Sequence, residues 1–297
     1  MKTALDCYPC IVRQSIEAAR IAGLQGSDQQ KIVDHVLGAL LQMDHDLSPP
    51  ELGQRIHREI RRISGNPDPY ARVKSQFNEQ VMKQTASLRR EIRSAEDPLQ
   101  HALLYAIAGN VIDFGAKNGP IDIESELGTA LDTPFSVYDY SRLSRDLSRA
   151  ETLVYLGDNA GEIVFDKLLI EELLRRFPLD ITFVVRGAPV LNDVTREDAH
   201  QVGLEQIVRV VDNGSDAPAT VCDDISEELR SQLAESDLIL SKGQGNYESL
   251  DEADLPVYFL FKIKCAVAAK RAGGTTGEYV LARGENFSGN HSPQASL

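Results

Sequence analysis

Several features that mark particular classes of protein are missing from this 297-residue sequence. Its four cysteines, Cys7, Cys10, Cys222 and Cys265, are too few for the disulfide framework of a small secreted protein. No uninterrupted apolar run approaches the roughly 18 residues that a membrane-spanning helix needs. The N-terminal stretch MKTALDCYPC lacks the apolar segment of a signal peptide. We therefore expect a cytoplasmic protein.

Positive charge is also scarce, because 31 Lys and Arg stand against 45 Asp and Glu, for a formal net charge of −14. Long-range repulsion would oppose encounter with nucleic acid or an anionic membrane, so we expect neither as a partner. A small anionic ligand is not excluded, since a site can be locally positive or contain a metal ion. The length suggests one large or two ordinary domains.

Three motifs of nucleotide and acyl chemistry are absent. The sequence has no G-x-G-x-x-G after the first predicted strand, no G-x-x-x-x-G-K-[ST] and no G-x-S-x-G. These absences exclude a dinucleotide fingerprint, a P-loop and a nucleophile elbow. The six histidines are scattered without the spacing of metal ligands, so we assign none of them a catalytic role.

Two regions with different hydrophobic periodicity follow one another along the chain. Residues 1–118 have apolar positions at helical spacing and repeated cap-plus-proline starts, which predicts an all-helical domain. From about residue 150, short apolar runs alternate with helical stretches, which predicts an α/β domain with a mainly parallel sheet covered on both faces. We expect residues 119–149 to be a helical connection, residues 150–297 to form the α/β domain, and residues 278–283 to add an edge strand.

Polar groups follow each predicted strand of the α/β domain. The predicted strands are 153–156, 181–185, 207–211, 237–240 and 256–261. In an open parallel sheet, ligands bind beyond the carboxyl ends of the strands. In strand order, the groups there are Asp158, Asn159 and Glu162; Arg186, Asn192 and Asp193; Asp212, Asn213 and Asp216; Lys242, Gly243, Gly245 and Asn246; and Lys262 and Lys264. This convergence of five strands on one edge is more informative than any single motif.

The chemistry of these groups falls into two sets. The first set contains hard oxygen donors, Asp158, Asn159, Asn192 and Asp193. Such ligands suit Mg²⁺, Mn²⁺ or a similar divalent ion. The second set contains cations that could neutralise a phosphoryl group, Arg186, Lys242, Lys262 and Lys264. The glycines of KGQGN let backbone N–H groups approach an anion closely. Together these sets indicate metal-assisted phosphoryl chemistry.

Each segment also has a plain structural interpretation. GDNAGE suits a turn with a helix cap, and VLND suits an N-cap before a helix at 195–202. VDNGSD is favoured as a turn. Arg186 could be a surface residue, and Lys262 and Lys264 could be the solvent face of an edge strand. The joint occurrence of the polar groups nevertheless favours a metal–phosphate site.

Taken together, these segments resemble a known protein family. GDNAGE, VRGAPVLND, SKGQGNYE and FKIKC resemble the motifs of the metal-dependent damage-control phosphatases, formerly domain of unknown function 89. CYPC near the N-terminus, DPY at 68–70 and AGNVID at 108–113 resemble the helical half of its prokaryotic, cysteine-bearing branch. The resemblance extends from about residue 5 to residue 270. It implies an all-helical domain packed on a Rossmann-like α/β/α domain.

The resemblance also implies an activity and a site. The implied activity is hydrolysis of phosphate monoesters, such as sugar phosphates or damaged phosphometabolites. A divalent ion, Mn²⁺, Co²⁺, Ni²⁺ or Mg²⁺, would be held by Asp158, Asn159 and Asp193. Lys264 matches a phosphate-contacting lysine, and Asn246 falls in a loop that lines the pocket. Because part of the family was also proposed to be carboxyl methyltransferases, an S-adenosylmethionine-dependent enzyme remains an alternative.

The helical half offers further candidates for the site. Asn110 and Asp113 lie on one helical face, where they either form a buried hydrogen-bonded pair or present their side chains to substrate. Lys74 and Asn78 lie one turn apart and either reach the same pocket or occupy a solvated face. We expect Asp68 to be an N-cap.

The segment CYPC contains an isolated C-x-x-C motif. Cys7 and Cys10 supply only two of the roughly four ligands that a zinc site needs. Packing at the start of the first helix is therefore favoured, and a redox dithiol is left open.

The resulting hypothesis is a metal-dependent phosphatase acting on a small phosphorylated metabolite. Lys264, the backbone N–H groups of KGQGN and also Lys242 would offset charge on the phosphoryl oxygens. Asp158 or Glu162 would take the proton of the attacking water. The rivals are the methyltransferase and a non-catalytic module that binds a phosphorylated ligand.

Overall fold

The computed structural model describes residues 1–42, 47–109, 127–128 and 131–288. Helices precede the first strand: α1 (Cys7–Ile21), α2 (Ser27–Gln42), α3 (Pro49–Ser64), α4 (Ala71–Met82), α5 (Thr85–Ser94) and α6 (Pro98–Ala108). Ser48 and Asp97, each followed by proline, cap α3 and α6 with their side chains, as the cap-plus-proline pattern predicts. Within the described part of the chain, no helix is long and apolar enough to cross a membrane.

The strands of the described residues form one sheet. They are β1 (Phe135–Tyr138), β2 (Thr152–Leu156), β3 (Asp180–Val185), β4 (Arg209–Asp212), β5 (Leu238–Lys242), β6 (Val257–Lys262) and β7 (Tyr279–Arg283). Their order is β1-β7-β6-β5-β2-β3-β4. Strands β6, β5, β2, β3 and β4 are mutually parallel, whereas β7 runs antiparallel to β6 and pairs in parallel with β1. The predicted α/β class with a mainly parallel sheet is confirmed.

Helices cover both faces of this sheet. They are α7 (Tyr140–Leu147), α8 (Glu162–Arg176), α9 (Arg196–Gln201), α10 (Glu227–Glu235), α11 (Gln244–Leu250), α12 (Ala266–Ala272) and α13 (Glu285–Ser288). Along β2, Leu153 and Tyr155 join the core on the α8 face, while Val154 and Leu156 join the core that contains α10 to α12. Because consecutive residues of a strand point to opposite faces, a strand buried on both faces is apolar throughout.

Two expectations about the sheet are wrong. Strand β7 is not an edge strand, because β1 pairs with its outer side in a register that begins at Phe135↔Tyr279. The described part of 119–149 is not purely helical, since it contains β1 as well as α7. The segment FSVY is only four residues long and half-buried, so it lacks the apolar run by which the other strands were identified. The predicted domain boundaries stay a prediction.

The apolar residues form separate cores in the helical region. One core lies within α1 to α3 and includes Ile32 and Ile56. The helices α4 to α6 contribute to a different core, in which Phe77 and Ile107 join Phe165 of α8 and one face of the sheet. A five-residue turn, 157–161, connects β2 to α8, and α4 packs against α8 close to the carboxyl ends of the strands.

Candidate metal and phosphate site

The turn GDNAG connects β2 to α8 at the carboxyl end of the sheet. Gly161 is the N-cap of α8, with a φ of 75°, and as a glycine it has no side chain that could cap this helix. Asn159 Nδ2 instead donates to Asp158 Oδ2 at 2.6 Å and to Glu162 Oε2 at 3.3 Å. The cap interpretation is therefore wrong for these side chains, which interact with one another.

The loop after β3 lies antiparallel beside this turn. The amide of Val194 donates to the carbonyl of Asp158 at 2.9 Å, and Asn159 and Asp193 form an isolated antiparallel bridge. Asp193 is not an N-cap, because α9 begins after Thr195, which has that role. Two segments that are distant in sequence thus place Asp158, Asn159 and Asp193 side by side.

Arg186 lies between the two loops and is only 1% exposed, so the surface interpretation is wrong. Its Nε donates to Asp193 Oδ2 at 2.7 Å, and its Nη2 lies 3.9 Å from Asp158 Oδ1. Among the described residues, Nη1 and Nη2 have no hydrogen-bond partner. The guanidinium thus joins the two carboxylates and retains N–H groups for a further acceptor, such as a phosphoryl oxygen.

A second buried ion-pair network lies below the turn. Lys242 Nζ, at the end of β5, lies 2.5 Å from Glu162 Oε1 and 2.7 Å from Asp166 Oδ1. Tyr155 donates its hydroxyl to the same Asp166 oxygen at 2.7 Å. Burial alone would lower the pKa of Lys242, but attraction by Asp166 and Glu162 outweighs it and raises that pKa. This geometry allows Lys242 to hold the Glu162 carboxylate in place. The predicted phosphate contact of Lys242 stays a prediction.

Six side chains make up what we term the buried charge cluster, namely Asp158, Glu162, Asp166, Asp193, Arg186 and Lys242. Each is 8% exposed or less. Four carboxylates face two cations, which leaves an excess of two negative charges when all are ionised. Burial raises the pKa of Asp193 and of Glu162 to about 7. Such raised values indicate that nearby positive charges do not fully balance the buried carboxylates. A divalent cation would supply the two missing positive charges.

The oxygen donors of this cluster fit a hard divalent ion. Asp158 and Asp193 offer carboxylates, and Asn159 beside them offers an amide. Among the described residues, no group of three or more His, Cys, Asp or Glu side chains is arranged to hold a metal, so the set is limited to two carboxylates and an amide. Mg²⁺ commonly binds through one or two carboxylates and completes its coordination with water and substrate phosphate.

The loop KGQGN, which we expected to contact an anion through its backbone N–H groups, has a different role at Gly243. The amide of Gly243 donates to the carbonyl of Leu260 at 3.0 Å, so this N–H is used within the sheet and the expected anion contact is wrong. Gly243 has a φ of +83°, and a Cβ there would lie 2.0 Å from Asp158 Oδ2. The absent side chain therefore makes room for the Asp158 carboxylate. The predicted anion contact of Gly245 stays a prediction.

Asn246 is fully buried and joins several loops. Its Nδ2 donates to the carbonyls of Lys242 at 2.7 Å and Gly157 at 3.2 Å. Its Oδ1 accepts from the amide of Thr220 at 2.7 Å. Asn246 thus supports the site from within the protein, and its predicted place in the pocket lining stays a prediction.

The lysines at the end of β6 lie at the rim of the same sheet edge. Lys264 is exposed, and its amide donates to Gln244 Oε1 at 2.7 Å, which holds it beside KGQGN. Burial raises the pKa of Glu248 to about 7, and the charge of Lys264 opposes that shift. Lys262 ends an interior strand, so the edge-strand interpretation is wrong. The predicted phosphate contact of Lys264 stays a prediction.

Two residues of α4 approach the site. Lys74 and Asn78 are 3% and 0% exposed, so the solvated-face interpretation is wrong for both. Asn78 Oδ1 accepts from the amide of Gly161 at 2.5 Å. Lys74 Nζ lies 3.2 Å from Asp198 Oδ2 and 3.1 Å from Asp68 Oδ2. Asp68 is not the N-cap of α4, because Tyr70 occupies that position.

Two carboxylates near the site, Asp166 and Asp198, are not identified by the sequence patterns. Asp166 lies one helical turn after Glu162 and directly follows the apolar residues 163–165, and a carboxylate in such a place is the signal that could have identified it. Asp198 forms a capping box with Thr195, so a local role already accounts for it.

The remaining candidates lie elsewhere. Cys7 begins α1 and packs against the core of α1 to α3, and burial raises the pKa of its thiol. Cys10 is half-buried and accepts from Arg13 at 3.7 Å. Asn110 and Asp113 lie outside the described residues.

A cavity of about 330 Å³ lies at the opposite edge of the sheet. Residues near the amino ends of β3 and β4, including Asp180 and Arg209, line it. None of the candidate site residues is among its lining residues, so this cavity is separate from the buried charge cluster.

A crystal structure of a DUF89 family protein from Pyrococcus horikoshii has a closely similar fold. The TM-score is 0.88, and the match covers 96% of this chain and 99% of that chain at 28% identity. The helical N-terminal region and the α/β region are therefore both present in a known architecture.

Three relatives match almost the full length of this chain. An uncharacterized protein from Methanocaldococcus jannaschii is 34% identical over 95% of both chains. A protein from Archaeoglobus fulgidus named damage-control phosphatase is 34% identical over 94% of this chain and 98% of its own. A protein from P. horikoshii with the same name is 29% identical over 95% of this chain and 98% of its own.

The match extends to a family model described as the damage-control phosphatase ARMT1-like domain, which covers residues 3–280. The resemblance to damage-control phosphatases is thus confirmed, while the assignment to a cysteine-bearing branch stays a prediction. This chain belongs to the damage-control phosphatase ARMT1-like domain family.

Proposed function

We propose that this chain is a metal-dependent phosphatase that hydrolyses phosphate monoesters of small metabolites, such as sugar phosphates or damaged phosphometabolites. The observation that carries the proposal is the buried charge cluster, which has two excess negative charges when all its groups are ionised. It also includes the Arg186 guanidinium, of which two nitrogens have no hydrogen-bond partner among the described residues. A metal ion paired with a phosphoryl group would satisfy both features. The names of two relatives in the family support the same reaction class.

The divalent ion, Mn²⁺, Co²⁺, Ni²⁺ or Mg²⁺, would be held by Asp158, Asn159 and Asp193. When bound, such an ion supplies Lewis acidity toward a phosphoryl oxygen and lowers the pKa of a bound water. Arg186 keeps the Asp193 carboxylate oriented through its Nε, at 2.7 Å. Gly243 leaves the space that the Asp158 carboxylate occupies.

The surrounding cations would stabilise the phosphoryl group. Arg186 directs its Nη atoms to a phosphoryl oxygen, and Lys264 adds a second positive charge from the rim, which offsets charge that develops in the transition state. Asp158 or Glu162 takes the proton of the attacking water. Lys242 and Asn159 each contact one oxygen of Glu162, so that carboxylate is held in a defined orientation.

The test is hydrolysis of p-nitrophenyl phosphate with each of the four metal ions, for wild type, Asp193→Ala and Asp212→Ala. Asp212 is the matched control, because it ends the neighbouring strand β4 but pairs with Arg196 at the surface. We expect Asp193→Ala to lose at least about 100-fold in rate, because loss of a ligand should cost no less than the 10- to 100-fold typical of residues that only orient ligands. We expect Asp212→Ala to keep the wild-type rate. Equal rates for wild type and Asp193→Ala would remove Asp193 from the mechanism.

Two further results would favour the rival functions. Thermal stabilisation by S-adenosylmethionine and not by Mn²⁺ would support a methyltransferase. If Mn²⁺ binds but no ion supports hydrolysis of any member of a sugar-phosphate panel, the chain is a binding module for a phosphorylated ligand.

A further inference from the structure

Helix α4 holds the turn that carries Asp158 and Asn159. Asn78 Oδ1 accepts from the amide of Gly161 at 2.5 Å. The Phe77 ring lies so close to Gly161 that a Cβ there would be 2.0 Å from a ring carbon. One polar and one aromatic side chain of α4 therefore fix the last residue of the turn.

The same asparagine is connected to the loop that carries Asp193. Asn78 Nδ2 donates to Asp198 Oδ1 at 2.9 Å and to Gln201 Oε1 at 2.9 Å. The other oxygen of Asp198 accepts from the amide and the hydroxyl of Thr195, at 2.9 and 3.0 Å. Because Thr195 is two residues beyond Asp193, Asp198 links Asn78 to this second loop.

The positive charge of Lys74 balances the negative charge of Asp198 in this connection. Its Nζ lies 3.2 Å from Asp198 Oδ2, and both side chains are 5% exposed or less. Among the hydrogen bonds of Asn78, one reaches the turn after β2 and another reaches α9, which follows β3. A fully buried amide whose polar atoms are all engaged specifies the relative position of the groups that it joins.

We propose that Asn78 is a positioning residue for the candidate metal site, because it sets the distance between the turn of Asp158 and Asn159 and the loop of Asp193. The proposal rests on the proposed function, since it concerns the affinity of that site for a divalent ion. Residues that orient metal ligands from outside the coordination sphere typically change metal affinity 10- to 100-fold when they are replaced. Helix α4 would then belong to the site although it lies about 80 residues before the first ligand in the chain.

The experiment measures Mn²⁺ affinity directly, by electron paramagnetic resonance of free Mn²⁺ and by calorimetry, without substrate. We expect Asn78→Ala to raise the Mn²⁺ Kd about 10- to 100-fold. The matched control is Gln54→Ala, which removes another buried amide that ties a helix to two carboxylates of the loop after β4, Asp216 and Asp224. We expect Gln54→Ala to leave the Mn²⁺ Kd within about twofold, while urea unfolding reports the stability lost by each variant.

A second variant keeps the test decisive if Asn78→Ala does not fold. Asn78→Leu has nearly the same size, but it lacks both the acceptor for Gly161 and the donors for Asp198 and Gln201. Because this variant adds no charge near the site, a change in its Mn²⁺ affinity reports the loss of positioning. We expect the Mn²⁺ Kd of Asn78→Leu to rise at least several-fold.

The outcomes separate this proposal from the proposed function. If wild type does not bind Mn²⁺ or the other three ions, the proposed function fails. If wild type binds Mn²⁺ and either Asn78 variant binds equally or more tightly, the positioning role is overturned. Equal weakening by Gln54→Ala and Asn78→Ala would also overturn it, because general destabilisation would then explain both.

Discussion

The N-terminal helices form two groups that differ in what they pack against. Helices α1 to α3 enclose a core of their own, which includes Ile32 and Ile56. Helices α4 to α6 have no such separate core among the described residues, and they place Phe77 and Ile107 in the core that α8 and the sheet share. Similar helical sequences therefore have different structural roles, because each helix buries its apolar face against the nearest complementary surface.

The polar contacts of the two groups differ in the same way. From α3, Arg58 and Arg61 reach Asp216 after β4, and Arg58 is 53% exposed. From α4, Asn78 and Lys74 reach the strand-end loops with 0% and 3% exposure. Helix α4 therefore contacts the loops of the candidate site through buried side chains, whereas α3 contacts the loop after β4 through partly exposed arginines.

The largest expected effect compares two glycines, one that contacts α4 and one at the end of α3. Gly161→Ala would force a Cβ to within 2.0 Å of the Phe77 ring at a φ of +75°, whereas Gly65, at the end of α3 with a φ of +65°, faces open space. We expect Gly161→Ala to cost about 3–5 kcal/mol of the free energy of unfolding, from overpacking and backbone strain. Gly65→Ala should cost about 1 kcal/mol, from strain alone.

Urea unfolding of both variants measures this difference. Equal losses of unfolding free energy would contradict the tight contact between α4 and the turn.

The next effect compares the two cores by hydrogen exchange. Phe77→Ala should cost about 3–5 kcal/mol, and Ile56→Ala about 2–5 kcal/mol, because each leaves a cavity. We expect Phe77→Ala to speed amide exchange in α8 and β2, and Ile56→Ala to speed it mainly in α1 and α2. Accelerated exchange throughout the sheet in Ile56→Ala would show that the two cores unfold as one unit.

The smallest expected effect is a pH dependence of the free energy of unfolding that arises from His57 in α3. Burial, with a smaller contribution from Arg61, lowers the pKa of His57 from its usual 6.5 to about 4. Between pH 6.5 and pH 4, His57 is therefore protonated in the unfolded chain but neutral in the folded chain. The free energy of unfolding is unaffected by His57 above about pH 6.5 and falls as the pH drops toward 4. The loss should reach at most about 3 kcal/mol.

Comparison with His57→Leu isolates this contribution, since the variant lacks the titrating group. We expect the stability of wild type relative to His57→Leu to decrease between pH 6.5 and pH 4. A constant difference across that range would show that His57 is not buried as a neutral side chain.

Much of the architecture could be predicted because its signals are local. The apolar runs identified β2 to β6, and the change from strand to turn located Asp158 and Asp193 at one edge of the sheet. The strand β1 was not predicted, since FSVY is short and half-buried. The position of β7 was also wrong, because a partner strand lies about 140 residues earlier in the chain.

The roles of several site residues could not be predicted from local patterns. The glycines of KGQGN suggested backbone anion contacts. In the structure, the amide of Gly243 instead donates to Leu260 within the sheet, and the absence of a side chain at Gly243 leaves room for the Asp158 carboxylate. Lys242 and Arg186 were grouped as phosphate-binding cations, whereas each contacts buried carboxylates. Residue type indicates what a side chain can bind, and burial decides which partner it has.

By itself, the sequence determined the class of fold, the places where strands end and the kinds of chemical group found there, since hydrophobic period and turn residues act over a few positions. Tertiary structure alone decided which charges share one buried volume. Lys242 meets Glu162 across 80 positions, and Asn78 meets Gly161 across 83. Such contacts depend on how whole elements pack, and only that packing excludes water and brings the excess negative charge together where we propose a cation.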